Sequence, residues 1–379
     1  MQSEKLISKE YMDLAKIQSR EEEQLLSKRN VVGVALGNKR TRDQDTGEKA
    51  ITVLVDSKLP KDMLSQDDLI PSKIGTTPTD VQEVGVIQAG APLTAGGGQP
   101  VASYLMPGAT SAQSPGSYMT ISDLGAIVGQ NGSTHTVRID DRSLAALENV
   151  GPFNLTKRVR PAYGGVSVGH FQITAGTLST CAYDASAFPG VPQRYYILSN
   201  NHVLANSNAA AIGDPILQPG PADGGTYPTD VIARLSRFVP IQFMQPNQQP
   251  PLNYVDAAVA EGKFEDLNRE IYWVGPLRGL LPAPTLGLVV QKCGRTTNYT
   301  TGMVQNINAT IDVNYGNGRV ARFSRQILTT NMSAPGDSGS LISDLEERAV
   351  GLLFAGSTAV TVINPITLVQ QLLGIRVTE

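Results

Sequence analysis

Residues 331–343 read Asn-Met-Ser-Ala-Pro-Gly-Asp-Ser-Gly-Ser-Leu-Ile-Ser, and the run Gly336-Asp337-Ser338-Gly339-Ser340 at its centre decides how the rest is read. A serine set between glycines can occupy a tight turn with its hydroxyl exposed and its backbone N–H groups free. The N–H groups of Gly336 and Ser338 could then converge on a developing oxyanion. The same four residues are also ordinary turn chemistry. The choice depends on whether the chain supplies a base and an orienting carboxylate.

Three histidines are available. His135 stands isolated on an expected strand, and His170 lies in an apolar, Gly-rich strand; both read as structural. His202 follows the apolar run Tyr195-Tyr196-Ile197-Leu198, within Ser199-Asn200-Asn201-His202-Val203, at a strand end where a side chain can face a cleft. The best carboxylate is Asp256 in Asn253-Tyr254-Val255-Asp256-Ala257-Ala258-Val259, because a carboxylate opening an apolar run is costly to bury without a partner. A serine hydroxyl needs a neutral imidazole to take its proton and a carboxylate to orient that imidazole. The chain offers them in the order His202, Asp256, Ser338.

The surrounding pattern is β-rich. From Arg158 onward, short apolar strands alternate with Gly, Pro and Asn turns, as expected of a barrel or sandwich, and the chain closes on the helical stretch Asn-Pro-Ile-Thr-Leu-Val-Gln-Gln-Leu-Leu-Gly. Charged residues are 17% of the 379, below the usual quarter, while 37 Gly and 24 Pro favour a turn-rich protein. A net charge of −3 argues against a nucleic-acid partner held by a general basic surface. No apolar run has the length of a membrane span, so no membrane partner is expected. The charged N-terminus lacks the apolar core of a signal peptide, which points to a cytoplasmic protein. Cys181 and Cys293 allow one bridge at most, and the sequence leaves open whether they pair. Neither a zinc spacing nor a phosphate loop is present, and Asp214, Asp223 and Asp230 read as turn residues; no metal or cofactor is expected.

Ahead of residue 158 the signals differ. Residues 1–29 carry an amphipathic helix with Ile7, Tyr11, Leu14 and Ile17 on one face. Its apolar face either packs on a neighbour or serves oligomerisation or recruitment of a regulatory partner. Residues 30–90 read as a small α/β domain: two strands, a short helix near Lys61–Pro71 and a third strand. Residues 91–157 read as a Gly/Ala/Pro-rich linker with an inserted segment.

The contexts SNNHV, VDAAV and GDSGS, in that order, resemble trypsin-like serine endopeptidases of the chymotrypsin fold. The bacterial branch is most similar: Val290-Gln291-Lys292-Cys293-Gly294-Arg295-Thr296-Thr297-Asn298-Tyr299 resembles the strand opening the second barrel of α-lytic and streptogrisin-type proteases. The resemblance covers about residues 158–379, and implies a mainly β fold of two six-stranded antiparallel β-barrels, preceded by the N-terminal helix and the small α/β unit. It implies a general base at His202, an orienter at Asp256, a nucleophile at Ser338 and an oxyanion hole from the amides of Gly336 and Ser338. It also implies that Lys292, or failing that Arg295, pairs with Asp337 to shape the site without N-terminal cleavage. Met332, Phe354 and Gly356 match the substrate pocket, and an apolar Met332 points to an uncharged, apolar P1 side chain. Phe354 departs from the family, where a serine often helps to orient the catalytic aspartate. The expected partner is a protein or peptide substrate. Two alternatives are a non-catalytic peptide-binding pseudoprotease and a self-cleaving assembly or regulatory protein cut near residues 91–115.

Overall fold

The computed structural model describes residues 6–42, 44–90, 154–185, 192 and 194–378. His135 and nearly all of the expected linker and inserted segment lie outside the described residues.

The described chain is mainly β. Six strands of its larger sheet close into a ring: Val289–Gly294, Asn298–Asn314, Val320–Thr330, Val360–Pro365, Arg348–Gly356 and Leu341–Asp344 pair in that cyclic order. Each ladder in the ring is antiparallel, and the long hairpin Asn298–Asn314/Val320–Thr330 supplies the pairing that closes it. Burial alternates in part along Asn298–Asn314 and Val320–Thr330, while the other four ring strands are buried almost throughout.

The second large sheet has eight strands in the order Ile375–Arg376, Cys181–Asp184, Tyr195–Ser199, Ala258–Gly262, Val231–Phe238, Pro215–Leu217, Ser167–His170 and Gly176–Thr177. Its two ends are two-residue strands that do not pair with each other among the described residues. The resemblance implied two closed barrels; the pairing gives one closed ring and one open, curled half. Leu178, Ile197, Leu198, Leu204 and Val259 fill that half, together with Leu352 and Val369 from the C-terminal part of the chain.

The N-terminal region is attached differently from the expectation. The strand Val31–Thr41 pairs antiparallel with ring strand Asn298–Asn314, with Gly33 opposite Ile311 and Leu36 opposite Ile307. Gln44–Val55 pairs next, and Thr77–Glu83 follows in parallel. Residues 30–90 therefore extend the ring's own sheet, and they fall in the same compact unit as residues 155–379. Backbone ladder bonds are the physical reason that no separate small domain forms here. A Cβ at Gly33 would lie 2.7 Å from Ile311 Cγ2, so glycine lets the two strands approach.

The N-terminal helix runs Met12–Leu26 after a 3-10 turn at Lys9–Tyr11. Leu25 and Leu26 pack with Val34, Ile51 and Val53, and Tyr11 packs against Leu36 and Val304. The buried Gln18 ties helix to sheet, donating to Val34 O at 3.2 Å and Asn308 O at 2.8 Å. Of the readings of this helix, packing on its neighbour is the one that accounts for its apolar face. The short helix expected near Lys61–Pro71 is instead two isolated 3-10 turns, Lys61–Met63 and Gln66–Asp68, as the polar run Ser65-Gln66-Asp67-Asp68, which caps and forms the second, favours a turn over a continued helix. The C-terminal helix, Ile366–Leu373, stops at Gly374 in a left-handed conformation.

Candidate active site

Two neighbouring strands of the open sheet bring His202 and Asp256 together. Tyr195–Ser199 pairs with Ala258–Gly262 so that Ser199 lies opposite Ala258. The residues just after one strand and just before the other thus meet at the same sheet end. His202 sits in the single helical turn Asn201–Leu204, and its Nδ1 lies 2.6 Å from Asp256 Oδ2. The His202 backbone N–H also donates to Asp256 Oδ1 at 3.2 Å. Asp256 is fully buried. With the carboxylate ionised, Nδ1 carries the proton and Nε2 keeps its lone pair. That Nε2 is buried and has no hydrogen-bond partner among the described residues.

Three further residues hold Asp256, and sequence reasoning missed all of them. Tyr315 Oη donates to Asp256 Oδ2 at 2.7 Å. Asn200 Nδ2 donates to the Asp256 carbonyl at 2.7 Å, and the Asp256 N–H donates to Asn364 Oδ1 at 3.0 Å. Burial, and then the neighbouring carboxylate, push the Tyr315 phenol well above its ordinary value, so it stays a protonated donor. Tyr315 directly follows the strand Asn298–Asn314 and opens a tight hairpin in which Gly316, Asn317 and Gly318 all have positive φ. The Asn-Gly pair in that turn was the available signal, because it fixes the hairpin and thereby the inward direction of the tyrosine before it.

Ser338 lies in the turn between ring strands Val320–Thr330 and Leu341–Asp344. Gly339, at φ +96°, could not be another residue, since a Cβ there would stand 2.1 Å from Ser199 Oγ and 2.2 Å from Thr177 O. Thr177 fastens the other side of the turn. Its N–H donates to Ser338 O at 2.8 Å, and its hydroxyl donates to Gly336 O at 2.9 Å. Gly336 has φ +98°. Ser338, Gly336, His202 and Tyr315 line one cavity of about 130 Å³, together with Ala89, Gly90 and residues 173–175.

Asp337 points the opposite way, into the protein. It is fully buried, and Lys292 Nζ, also fully buried, lies 3.2 Å from its Oδ2. Thr297 Oγ1 donates to the same oxygen at 2.6 Å, as does the Ala334 N–H at 3.0 Å. The amides of Thr296 and Thr297 donate to Oδ1 at 3.0 and 3.2 Å. Burial lowers the Lys292 pKa, and Asp337 opposes that shift. Arg295, the second choice for this pair, goes elsewhere: its Nε donates to Asp223 Oδ2 at 2.9 Å. The two threonines that embrace Asp337 were not singled out in the sequence.

The residues matched to the substrate pocket do not gather at this cavity. Phe354 is fully buried and packs on Phe323, with ring centroids 4.7 Å apart. Met332 is buried among Val290, Val304, Ile342 and Leu353. A Cβ at Gly356 would meet Val360 O at 2.9 Å. The Phe354 side chain thus lies in the core rather than at the cavity surface. His170 is fully buried away from this site, with Nε2 3.1 Å from Asp214 Oδ2. Cys181 and Cys293 are both free and buried; burial raises their thiols to about 11 and about 12. Among the described residues no group of His, Cys, Asp or Glu is arranged to hold a metal ion, and no helix is long and apolar enough to cross a membrane.

No family model matches the chain. Serine protease 2 of Streptomyces fradiae is 43% identical over 74 residues, which are 20% of this chain and 34% of that protein. The chain thus matches about a third of that relative's length. Among solved structures, Thermobifida fusca protease A aligns with 56% of this chain and 96% of its own, at 14% identity and a TM-score of 0.40. A Cellulomonas bogoriensis chymotrypsin aligns with 56% and 96%, at 16% identity and a TM-score of 0.37. The chain resembles bacterial serine proteases.

Proposed function

We propose that this protein is a serine endopeptidase that cleaves protein or peptide substrates through a Ser338–His202–Asp256 triad and an acyl-enzyme. One observation carries the reading. Asp256 takes the Nδ1 proton side of His202 at 2.6 Å, which leaves Nε2 as a lone-pair base in the cavity that Ser338 lines.

In this reading His202 Nε2 removes the Ser338 hydroxyl proton as Oγ attacks the peptide carbonyl carbon. The carbonyl π-electrons move to oxygen, where the N–H groups of Gly336 and Ser338 serve as the oxyanion hole. The tetrahedral centre collapses with loss of the amine, which takes the proton from the imidazolium. Water then repeats the sequence on the ester and restores the free serine. Tyr315 acts as a positioning residue, through Asp256. It supplies the hydroxyl that Phe354, in the place of the family's serine, cannot. Lys292 and Asp337 brace the turn that presents Ser338. A preference for an uncharged, apolar P1 residue rests on the resemblance at Met332 alone, and is to be read from relative kcat/KM on a panel of P1-varied peptides.

The decisive test is labelling by a fluorophosphonate probe. Mass mapping should place the adduct on Ser338, and S338A should lose it. A chain that never labels, yet binds peptides, would overturn the enzymatic reading in favour of a peptide-binding pseudoprotease. A shortened chain that appears with time and is absent in S338A would add self-cleavage.

A further inference from the structure

The cavity beside Ser338 is lined in part by the chain's own N-terminal region. Gln88–Ala89 is a two-residue strand laid antiparallel on the ring strand Arg348–Gly356, with Ala89 opposite Ala355 and Gln88 opposite Gly356. On its other side it pairs with Asn298–Asn314, where Gln88 is opposite Asn314 and the Asn314 N–H donates to Ile87 O at 2.9 Å. Gly90 follows at φ +48°, and a Cβ there would lie 3.2 Å from Cδ2 and 3.3 Å from Nε2 of His202. Gly90 thus lies against the ring edge that holds the free lone pair. A substrate must bring its scissile bond to that same edge, since the leaving amine receives its proton from Nε2.

The segment is well anchored. Val84 and Ile87 are each 1% exposed, and both belong to the apolar cluster that contains Tyr315, Phe354 and Ala355. The Ser357 hydroxyl donates to Val84 O. Ala89 belongs to the same cluster and is held by backbone pairing as well, while Gly90 has no side chain to anchor it. An extended peptide is bound to a sheet edge through main-chain hydrogen bonds, with pockets for alternate side chains. The edge at Ala355–Gly356 is of that kind, and its occupant here is the chain itself.

We infer, on the endopeptidase reading above, that Ile87–Gly90 occupies the place of an extended peptide substrate, so the chain competes with its own substrates for the Ala355–Gly356 edge. The competitor is intramolecular, and a flexibly tethered segment acts at an effective concentration on the order of millimolar. A peptide with micromolar intrinsic affinity for the free edge is correspondingly excluded. Activation then requires this strand to be withdrawn, and the best peptide ligands carry a very small residue at the position that abuts the imidazole.

Peptide binding tests this without catalysis. In an S338A background, fluorescence anisotropy would follow a fluorescein-labelled Val-Ile-Gln-Ala-Gly peptide, a copy of residues 86–90. Gln88→Pro breaks the backbone pairing, and Ala89→Arg evicts the strand by side-chain bulk; circular dichroism melting would verify that each variant folds. Both variants should bind the peptide at least tenfold more tightly than S338A alone. Equal affinity in all three proteins, or no binding to any of them, would overturn the inference. Fluorophosphonate labelling of the unaltered chain separates this result from the endopeptidase reading, since a small probe can label Ser338 whether or not the peptide competes.

Discussion

Among the described residues two aspartates are fully buried, and they are satisfied in opposite ways. Asp337 faces a buried ammonium, Lys292, and takes further bonds from one hydroxyl and three amides. Its charge is cancelled at rest. Asp256 has neutral donors only: an imidazole, a phenol and the His202 backbone N–H. Its charge stays uncompensated until a proton arrives on His202. A permanently cancelled carboxylate serves shape, while an uncancelled one next to an imidazole stabilises the imidazolium that forms during proton transfer. The contrast supports the reading of Asp256 as part of the chemistry and of Asp337 as its brace.

The sharpest way to break that contrast is Asp256→Asn. The side chain keeps its shape, but the amide favours the wrong imidazole tautomer and loses the negative charge. On the proposed mechanism kcat should fall about 10⁴-fold with the melting temperature little changed. Steady-state kinetics with calorimetry measures both, and a fall of less than tenfold would remove Asp256 from the triad. Lys292→Met makes the converse change, leaving the Asp337 carboxylate buried without its cation. The expected loss is about 3–5 kcal/mol of stability by urea unfolding. Adding Asp337→Asn should recover part of it, because the unpaired charge is then gone. If the double variant is no more stable than Lys292→Met alone, the brace does not work through charge.

The same contrast explains what was legible in the sequence. Lys292, Asp337, His202, Asp256 and Ser338 stand in short, contiguous motifs, so the type of residue at a fixed spacing reports them. The ring strands were readable for a similar reason, since alternation and Asn/Gly turns are local. Tyr315, Asn200 and Asn364 serve Asp256 from three separate segments; the Asn-Gly turn fixes the hairpin after Tyr315, but no local pattern names Asp256 as the partner of any of the three. Asn200 stands two residues before His202 yet bonds to a main-chain carbonyl 56 residues away. The attachment of residues 30–90 to the ring was illegible too. Strand pairing across a large sequence separation is decided by backbone ladders and by close approaches such as Gly33 on Ile311, and the alternation pattern does not name a partner. The packing of the Phe354 side chain beside Phe323 was not legible either, because a motif gives a position and not the core partner of its side chain.

Residues invisible to the motif should produce graded effects. Asn364→Ala leaves the buried Asp256 N–H without its acceptor, at a cost of about 1–3 kcal/mol. It should lower kcat as well as stability, because the backbone that carries the orienting carboxylate loosens. A variant that loses stability with kcat untouched would confine Asn364 to the fold.

Tyr315→Phe is the mildest of these changes and probes the neutral side of the contrast. Removing the phenol leaves Asp256 with one donor fewer, so the carboxylate is held less firmly against the imidazole. The value of kcat/KM should therefore fall about tenfold, because the base is less well oriented. Stability supplies the second readout. The Tyr315 pKa is raised in the folded state above its ordinary value of 10.0, so the folded protein retains a proton that the unfolded chain loses above that pH. Its stabilising contribution is complete below pH 10 and is lost as pH rises from there towards the folded value. The urea midpoint of the unaltered protein should decline between pH 10 and 11 more steeply than that of Tyr315→Phe. Parallel declines, with kcat/KM unchanged, would mean that Asp256 is held in place by its backbone bonds alone.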